Sequence, residues 1–312
     1  MVNVGVYRLF RNIERGNTLM KRKITVLMAI MLVLTMVVCL ASCGSSESDS
    51  DDAEVFTTEE AVYTESATPV GTTSEEILNY FNGIVNDLKA VKPAMHYRYE
   101  INVPDSSIKV TKAGQEDSEK IDESLSAIND GAKGVKDMIL TDVGEKSGDI
   151  AMGADNSEYL YVKGESWTSQ LTADDIDYAT MKEIGDNYYI EIVFTDIDVN
   201  GDDSALRKAF NLRDKEEILA SEEFAKTSAY LKLNDYDVAY SGCKITATVN
   251  RLTNEITNLN YYKAANVTAH MTGAGTFEEY GDVSVIFTLE DKANYEINWE
   301  SELPTSPLDT VA

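Results

Sequence analysis

The chain is 312 residues long and carries 54 acidic side chains against 27 basic ones, a net charge of −27 at neutral pH. A field of that sign repels phosphates and anionic headgroups, which argues against a nucleic-acid partner and leaves cationic ligands, solubility or colloidal repulsion as its uses. Two histidines and three cysteines argue against a zinc cluster or a histidine-based triad, and neither a phosphate-binding glycine loop nor a G-x-S-x-G elbow occurs.

Residues 1–19 do not suit a signal peptide, because Arg8, Arg11, Glu14 and Arg15 interrupt them. Translation is expected to start at Met20. The sequence that follows has a basic cluster (Lys21, Arg22, Lys23), an apolar run from Ile24 to Leu40, and then Leu40-Ala41-Ser42-Cys43. The run is short for a membrane span and slightly long for a signal-peptide core; the small residues and the polar continuation favour processing. This stretch resembles the lipobox of bacterial lipoproteins. The resemblance implies that the Cys43 thiol receives a diacylglycerol, that a peptidase cuts before it, and that the lipid holds the rest of the chain at the extracytoplasmic face of a cell membrane. An uncleaved anchor is the alternative, and it faces the same compartment.

Removal of residues 1–42 takes away six basic residues and Glu14, leaving 21 basic against 53 acidic residues and a net charge of −32. Cys39 would leave with the signal peptide and Cys43 would be acylated, so Cys243 stands alone and no intramolecular disulfide can form. Residues 43–73 then read as a lipidated cysteine followed by an acidic, Ser/Thr-rich tether without a basic residue. Residues 74–300 show continuous periodic patterning and no second linker, the mark of one domain, and 301–312 form a loose tail.

Within that domain, Thr73 to Glu76 form a capping-box pattern, and Ile77, Phe81, Ile84, Leu88 and Val91 recur at helical spacing, predicting a helix that ends before Pro93. Met95, Tyr97, Tyr99, Ile101 and Val103 alternate with polar residues, the signature of a half-buried strand. A second helical stripe runs from Ile121 to Ile139. Leu171 to Ile176 reads as a capped turn, with Thr172 as N-cap and Asp175 three residues on. Tyr188, Ile190, Ile192 and Phe194 repeat the strand pattern, and a helical insertion is expected over about 203–226. A meander follows at 243–251, 256–262, 265–272, 283–290 and 295–299, with turn chemistry at Thr253-Asn254, Gly273 to Gly275, Tyr280-Gly281 and Asp291 to Asn294. The predicted class is α+β: a large curved antiparallel sheet with an N-terminal helix and further helices on one face.

This element order, with the lipobox ahead of it, resembles the lipoprotein carriers of the LolA and LppX families. The resemblance implies a sheet closed on one side by helices around a cavity for acyl chains. The predicted inner phase includes Cys243, Ala247, Val267, Ala269 and Met271; small side chains there leave room for a ligand or for a packed helix. Cys243 on this apolar phase reads as a structural thiol, since only His96 and His270 are available as its base.

Asp196-Ile197-Asp198-Val199-Asn200-Gly201-Asp202 repeats the opening of a calcium loop, with oxygen ligands at alternate positions and a glycine for the turn. Its twelfth position is Arg207 where a bidentate carboxylate is needed, and a strand precedes it. An acidic strand end turning at Asn200-Gly201 is the other reading. Acidic pairs such as Asp174-Asp175 and Glu222-Glu223 are too common in this chain to point to acid–base catalysis. Tyr159, Tyr161, Trp167, Tyr188 and Tyr189 add aromatic mass suited to sheet packing or to sugar and peptide contact. No cofactor, catalytic residue or metal ligand is assigned; Cys43 is the one assigned site. The expected function is non-enzymatic: a membrane-anchored lipoprotein that binds an apolar or amphipathic ligand or an envelope protein. The alternatives are an interaction module without a cavity and a carboxylate-dependent glycan hydrolase.

Overall fold

A computed structural model describes residues 73–116, 125, 144–160, 169–212, 214–220 and 231–300. Two long strands, β8 (Glu255–Gly273) and β9 (Asp282–Asn298), organise them. They pair antiparallel without interruption from Asn258–Glu296 to Thr272–Asp282, and every other strand is arranged along them. On the β9 side, β1 (Ala94–Asn102) and β2 (Lys109–Lys112) lie end to end. On the β8 side, β6 (Leu231–Tyr240) and β7 (Lys244–Asn250) do the same. β3 (Glu145–Ile150) extends the sheet beyond β1, while β5 (Asn187–Val193) and β4 (Tyr178–Ile184) extend it beyond β7. The described sheet thus has nine strands, and every pairing in it is antiparallel.

Alternation puts one face of this sheet in the core. Tyr97, Tyr99 and Ile101 of β1, Tyr188, Ile190 and Ile192 of β5, and Val283, Val285, Phe287 and Leu289 of β9 are all buried. Helix α1 (Ser74–Val91) covers the β4 end with Ile77, Leu78, Phe81, Ile84, Val85 and Leu88. Its start is the expected capping box, Glu76 N–H on Thr73 Oγ1 and Thr73 N–H on Glu76 Oε2. It stops where Lys92 turns left-handed at φ 55 before Pro93, whose ring cannot continue a helix. Side chains pin it laterally: Ala179 N–H donates to Ser74 Oγ at 3.1 Å, and Tyr80 OH donates to Asn254 Oδ1 at 2.9 Å.

Rings continue the core across the strands. Tyr159, Tyr97, Tyr99, Tyr295, Tyr261, Phe210 and Phe194 form an unbroken series with successive centroids 4.7 to 6.2 Å apart. Tyr295 OH donates to the Tyr159 carbonyl at 2.7 Å, so its polar end is satisfied inside.

Several elements differ from the sequence expectation. The two strands expected at 256–262 and 265–272 are one strand, as are those at 283–290 and 295–299. Asp291 to Asn294 carry turn-forming residues, but Asp291 pairs with both Ile101 and Lys263, and Asn294 with both Arg98 and Asn260. Pairing on both sides outweighs local turn preference. The insertion expected over 203–226 shows, in its described part, two short helices, α3 (Ser204–Arg207) and α4 (Lys215–Leu219), rather than one long one. Strands β2, β3, β4 and β6 had no clear period-two signal, being short, polar or at an edge. The short helix α2 (Ser157–Leu160) was also unforeseen. The helix expected over Ile121 to Ile139 lies outside the described residues except for Leu125, which is fully buried in the main cluster.

Phe81 is 1 % exposed at the centre of the α1–sheet contact. Phe81→Ala is expected to lower the free energy of unfolding by about 3–5 kcal/mol, read by chemical denaturation.

Candidate functional site

The β6–β7 junction builds the site. Ser241, Gly242 and Cys243 stand opposite only Lys263 and Ala264 of β8, a bulge that needs the left-handed φ of 63 at Gly242. The chain leaving β5 follows this kink instead of leaving the sheet. Phe194 N–H donates to the Cys243 carbonyl at 2.9 Å, Ile197 and Tyr240 exchange both backbone bonds, and Asn200 N–H donates to the Val238 carbonyl at 2.8 Å. Asp196 Oδ1 accepts the Gly242 N–H at 2.8 Å. Asn200 sits at φ 53 and is held by its own side chain, whose Nδ2 donates to Asp237 Oδ1 at 2.6 Å. Gly201 follows because a Cβ there would lie 2.9 Å from Ile197 Cγ2 and 3.0 Å from the Asp198 carbonyl.

Against this loop lie the capped turn Ala173–Asp175 and the start of α3, enclosing a half-open cleft of about 360 Å³. Asp174, Asp175, Asp196, Asp198 and Asp202 line it together with the half-buried Ile197 and Ala205, over a floor that includes Phe194 and Leu206, 2 % and 1 % exposed. Asp175 is neutralised: its carboxylate accepts Lys208 Nζ at 2.7 Å and both the N–H and Oγ1 of Thr172. Burial alone would raise its proton affinity, but the Lys208 and Thr172 hydrogen bonds outweigh it and hold the carboxyl below the usual range. Asp202 is also held low, by the Ser204 hydrogen bond. Asp174 and Asp198 take no side-chain hydrogen bond or ion pair among the described residues, so their charge is available to the cleft.

The structure therefore brings together two acidic groups that are distant in sequence. Of the calcium-loop candidates, Asp196, Asp198 and Asp202 line the cleft, while Asn200 turns away to Asp237. Arg207, at the twelfth position, is clamped by Asp203 at 2.7 and 3.0 Å and by Asp214 at 3.0 Å. Among the described residues no three acidic, histidine or cysteine side chains converge to hold a metal ion. The candidates share a cleft, not a coordination sphere.

Cys243 is 2 % exposed, and burial pushes its thiol upward; His96 and His270 are each engaged by a carboxylate, Asp149 and Asp237. Cys43, Tyr161, Trp167 and Glu222-Glu223 lie outside the described residues, as do the leader, the tether and the tail. No helix among the described residues is long and apolar enough to cross a membrane. Compared with protein-family models, curated proteins and solved structures, the chain matches none.

Asp175→Asn removes an ion pair whose carboxylate side is only 9 % exposed. It is expected to cost about 2 kcal/mol at pH 7. Because the folded carboxyl binds its proton less readily than the unfolded one, this contribution is present above the unfolded value of about 3.9 and is lost as pH falls through the lower folded value. The gap between wild type and variant in thermal melts should accordingly narrow in acid.

Proposed function

We propose that the chain is a non-enzymatic lipoprotein, held through Cys43 at the extracytoplasmic face of a bacterial cell membrane, whose acidic cleft binds a cationic amphipathic ligand. The observation that carries the ligand reading is the pairing of an acidic rim with an apolar floor. Asp174 and Asp198 can attract an ammonium or guanidinium group while the half-buried Ile197 and Ala205 meet its apolar part. Anchor and tether rest on the lipobox pattern at Leu40 to Cys43.

The likeness to LolA and LppX would instead seat an acyl chain on the inner face of a curved sheet. Cys243, Ala247, Val267, Ala269 and Met271 are at most 3 % exposed there, which favours packing over a ligand space on that face. A glycan hydrolase would need one carboxyl held protonated as the acid. Asp175, the one buried carboxylate of the cleft, is occupied by Lys208 Nζ at 2.7 Å and by Thr172, so it is not free to donate a proton, which supports binding over hydrolysis.

Calorimetry on the mature chain with dodecylamine, spermidine and dodecyl sulfate tests the cleft. Dodecylamine should bind tightest and dodecyl sulfate not at all, with Asp174→Asn and Asp198→Asn each weakening dodecylamine about threefold. Equal binding of amine and sulfate, or no effect of either substitution, would overturn the reading. For the anchor, cells fed a labelled fatty acid should label the wild-type chain, and Cys43→Ala should abolish that label. A labelled Cys43→Ala chain would sink the assignment.

A further inference from the structure

The loop that carries Asp198 and Asp202 to the cleft turns on an Asn–Gly pair, and such a pair has chemistry of its own. Glycine has no side chain to shield its amide nitrogen, so that nitrogen can reach the carboxamide of the asparagine before it. The sequence holds two of these pairs, Asn82-Gly83 and Asn200-Gly201. Asn82 lies inside helix α1 with both ends of its carboxamide tied: Nδ2 donates to the Leu171 carbonyl at 2.8 Å, and Oδ1 accepts Ser169 Oγ at 2.8 Å and the Leu171 N–H at 3.2 Å. Asn200 is exposed, at φ 53 in a tight turn. Its glycine is fixed there, because a Cβ on Gly201 would lie 2.9 Å from Ile197 Cγ2 and 3.0 Å from the Asp198 carbonyl.

Closed, the turn resists the reaction. The Gly201 N–H donates to the Asp198 carbonyl at 2.8 Å, which opposes loss of the proton that the attack requires. The Asn200 carboxamide is held on β6: Nδ2 donates to Asp237 Oδ1 at 2.6 Å, and Oδ1 accepts the Val238 N–H at 3.3 Å. The Asn200 N–H donates to the Val238 carbonyl at 2.8 Å, and Asp237 is itself fixed by His270 Nε2 at 2.8 Å. Attack therefore waits on a local opening in which these bonds part, and every bond in the latch makes that opening rarer.

We propose that Asn200 is a deamidation site, guarded by this latch, whose conversion leaves the cleft loop unable to close on β6. In the open turn, hydroxide takes the Gly201 amide proton, the nitrogen attacks Asn200 Cγ, and the Cγ–Nδ2 bond breaks as ammonia leaves. Water then opens the resulting succinimide on either side of its nitrogen, giving aspartate or isoaspartate; the net change consumes a water and releases an ammonia. The product presents a carboxylate where Nδ2 donated, and a carboxylate only accepts. Two carboxylates that close cannot both stay ionised. The cations around Asp237 are already engaged, His270 on its other oxygen and Lys215 on Asp235 at 2.7 Å. Because the ammonia is lost, the loop does not return.

Incubation of the mature chain at pH 8, followed by digestion and mass measurement, reads conversion at both pairs. Asn200 should convert far more slowly in the native chain than in guanidinium chloride. Asp237→Ala should speed the native conversion about tenfold, the low end for a hydrogen bond to a charged group. Asn82 should stay unconverted in both native chains, which separates loss of the latch from loss of the fold. Equal rates at Asn200 in native and denatured chains, no acceleration in Asp237→Ala, or equal acceleration at Asn82 would overturn the proposal. Asn200→Asp tests the product state directly, since aspartate also tolerates the left-handed turn. The amide at position 200 should then lose about tenfold of its protection from hydrogen exchange at pH 7, and unchanged protection would sink the idea. Neither outcome depends on whether the cleft binds a cation.

Discussion

Lys263 and Asp291 form an ion pair inside the sheet's buried face, 3.1 Å apart, with the side chains only 4 % and 15 % exposed. They are directly opposite each other on β8 and β9. A slip of one residue would turn one of the two, together with the apolar neighbours of its strand, to the outer face and leave the other buried without its partner. A slip of two would set Lys263 against Ala293 or Leu289 and strand a buried charge, at a cost of about 3–5 kcal/mol. Such a pair adds little net stability compared with two well-packed apolar residues, but it penalises every other register. The rest of the molecule depends on that register, because β1, β2, β6 and β7 all take their positions from β8 and β9.

The same pair sits opposite the bulge at Ser241 to Cys243. Two residues of β8 face three of the β6–β7 segment there, and the surplus residue is accommodated by the left-handed turn at Gly242. That turn presents the N–H that Asp196 captures, and the displaced backbone draws the segment from Phe194 to Asn200 along β6. The cleft is a consequence of the bulge. On the opposite face, the same register sets His270 beside Ser284 and Thr268 beside Ile286, which decides which polar side chains can meet across the strands.

Local sequence made legible whatever depended on near neighbours. The capping boxes at Thr73 and Thr172 and the alternation of Met95 to Val103 and of Tyr188 to Phe194 need only a few adjacent residues to be recognised, and the turn at Asn254 is found left-handed at φ 59. The continuity of β8 and β9 was not legible, because the residues that keep Asp291 to Asn294 extended come from β1, almost two hundred positions away. Strand β6 was hidden for a related reason: its Asn234, Asp235 and Asp237 suit a loop, and they are tolerated because Thr272, Lys215 and His270 complement them. The cleft fell between these cases. Both of its acidic segments drew attention in the sequence, yet nothing local indicated that Asp174-Asp175 would face Asp196 and Asp198.

With 54 acidic residues and 27 basic ones, at least half of the carboxylates cannot have a cationic partner to themselves on this chain. Unpaired acids are therefore inevitable, and their presence alone marks no site. Most can be dispersed where water screens them, as along the outer face, where Lys244 answers Glu191 and Lys292 answers Glu100. What separates the cleft from the rest of this acidic surface is the floor: Phe194 and Leu206 bring a low-dielectric wall beside Asp174 and Asp198, so a charge held there is screened less than one in open solvent. Lys208 has already relieved Asp175, the most buried of the five, which leaves the rim to act at its outer, reachable members. A cation with an apolar body answers both halves of that surface at once, and neither a bare metal ion nor an uncharged acyl chain does.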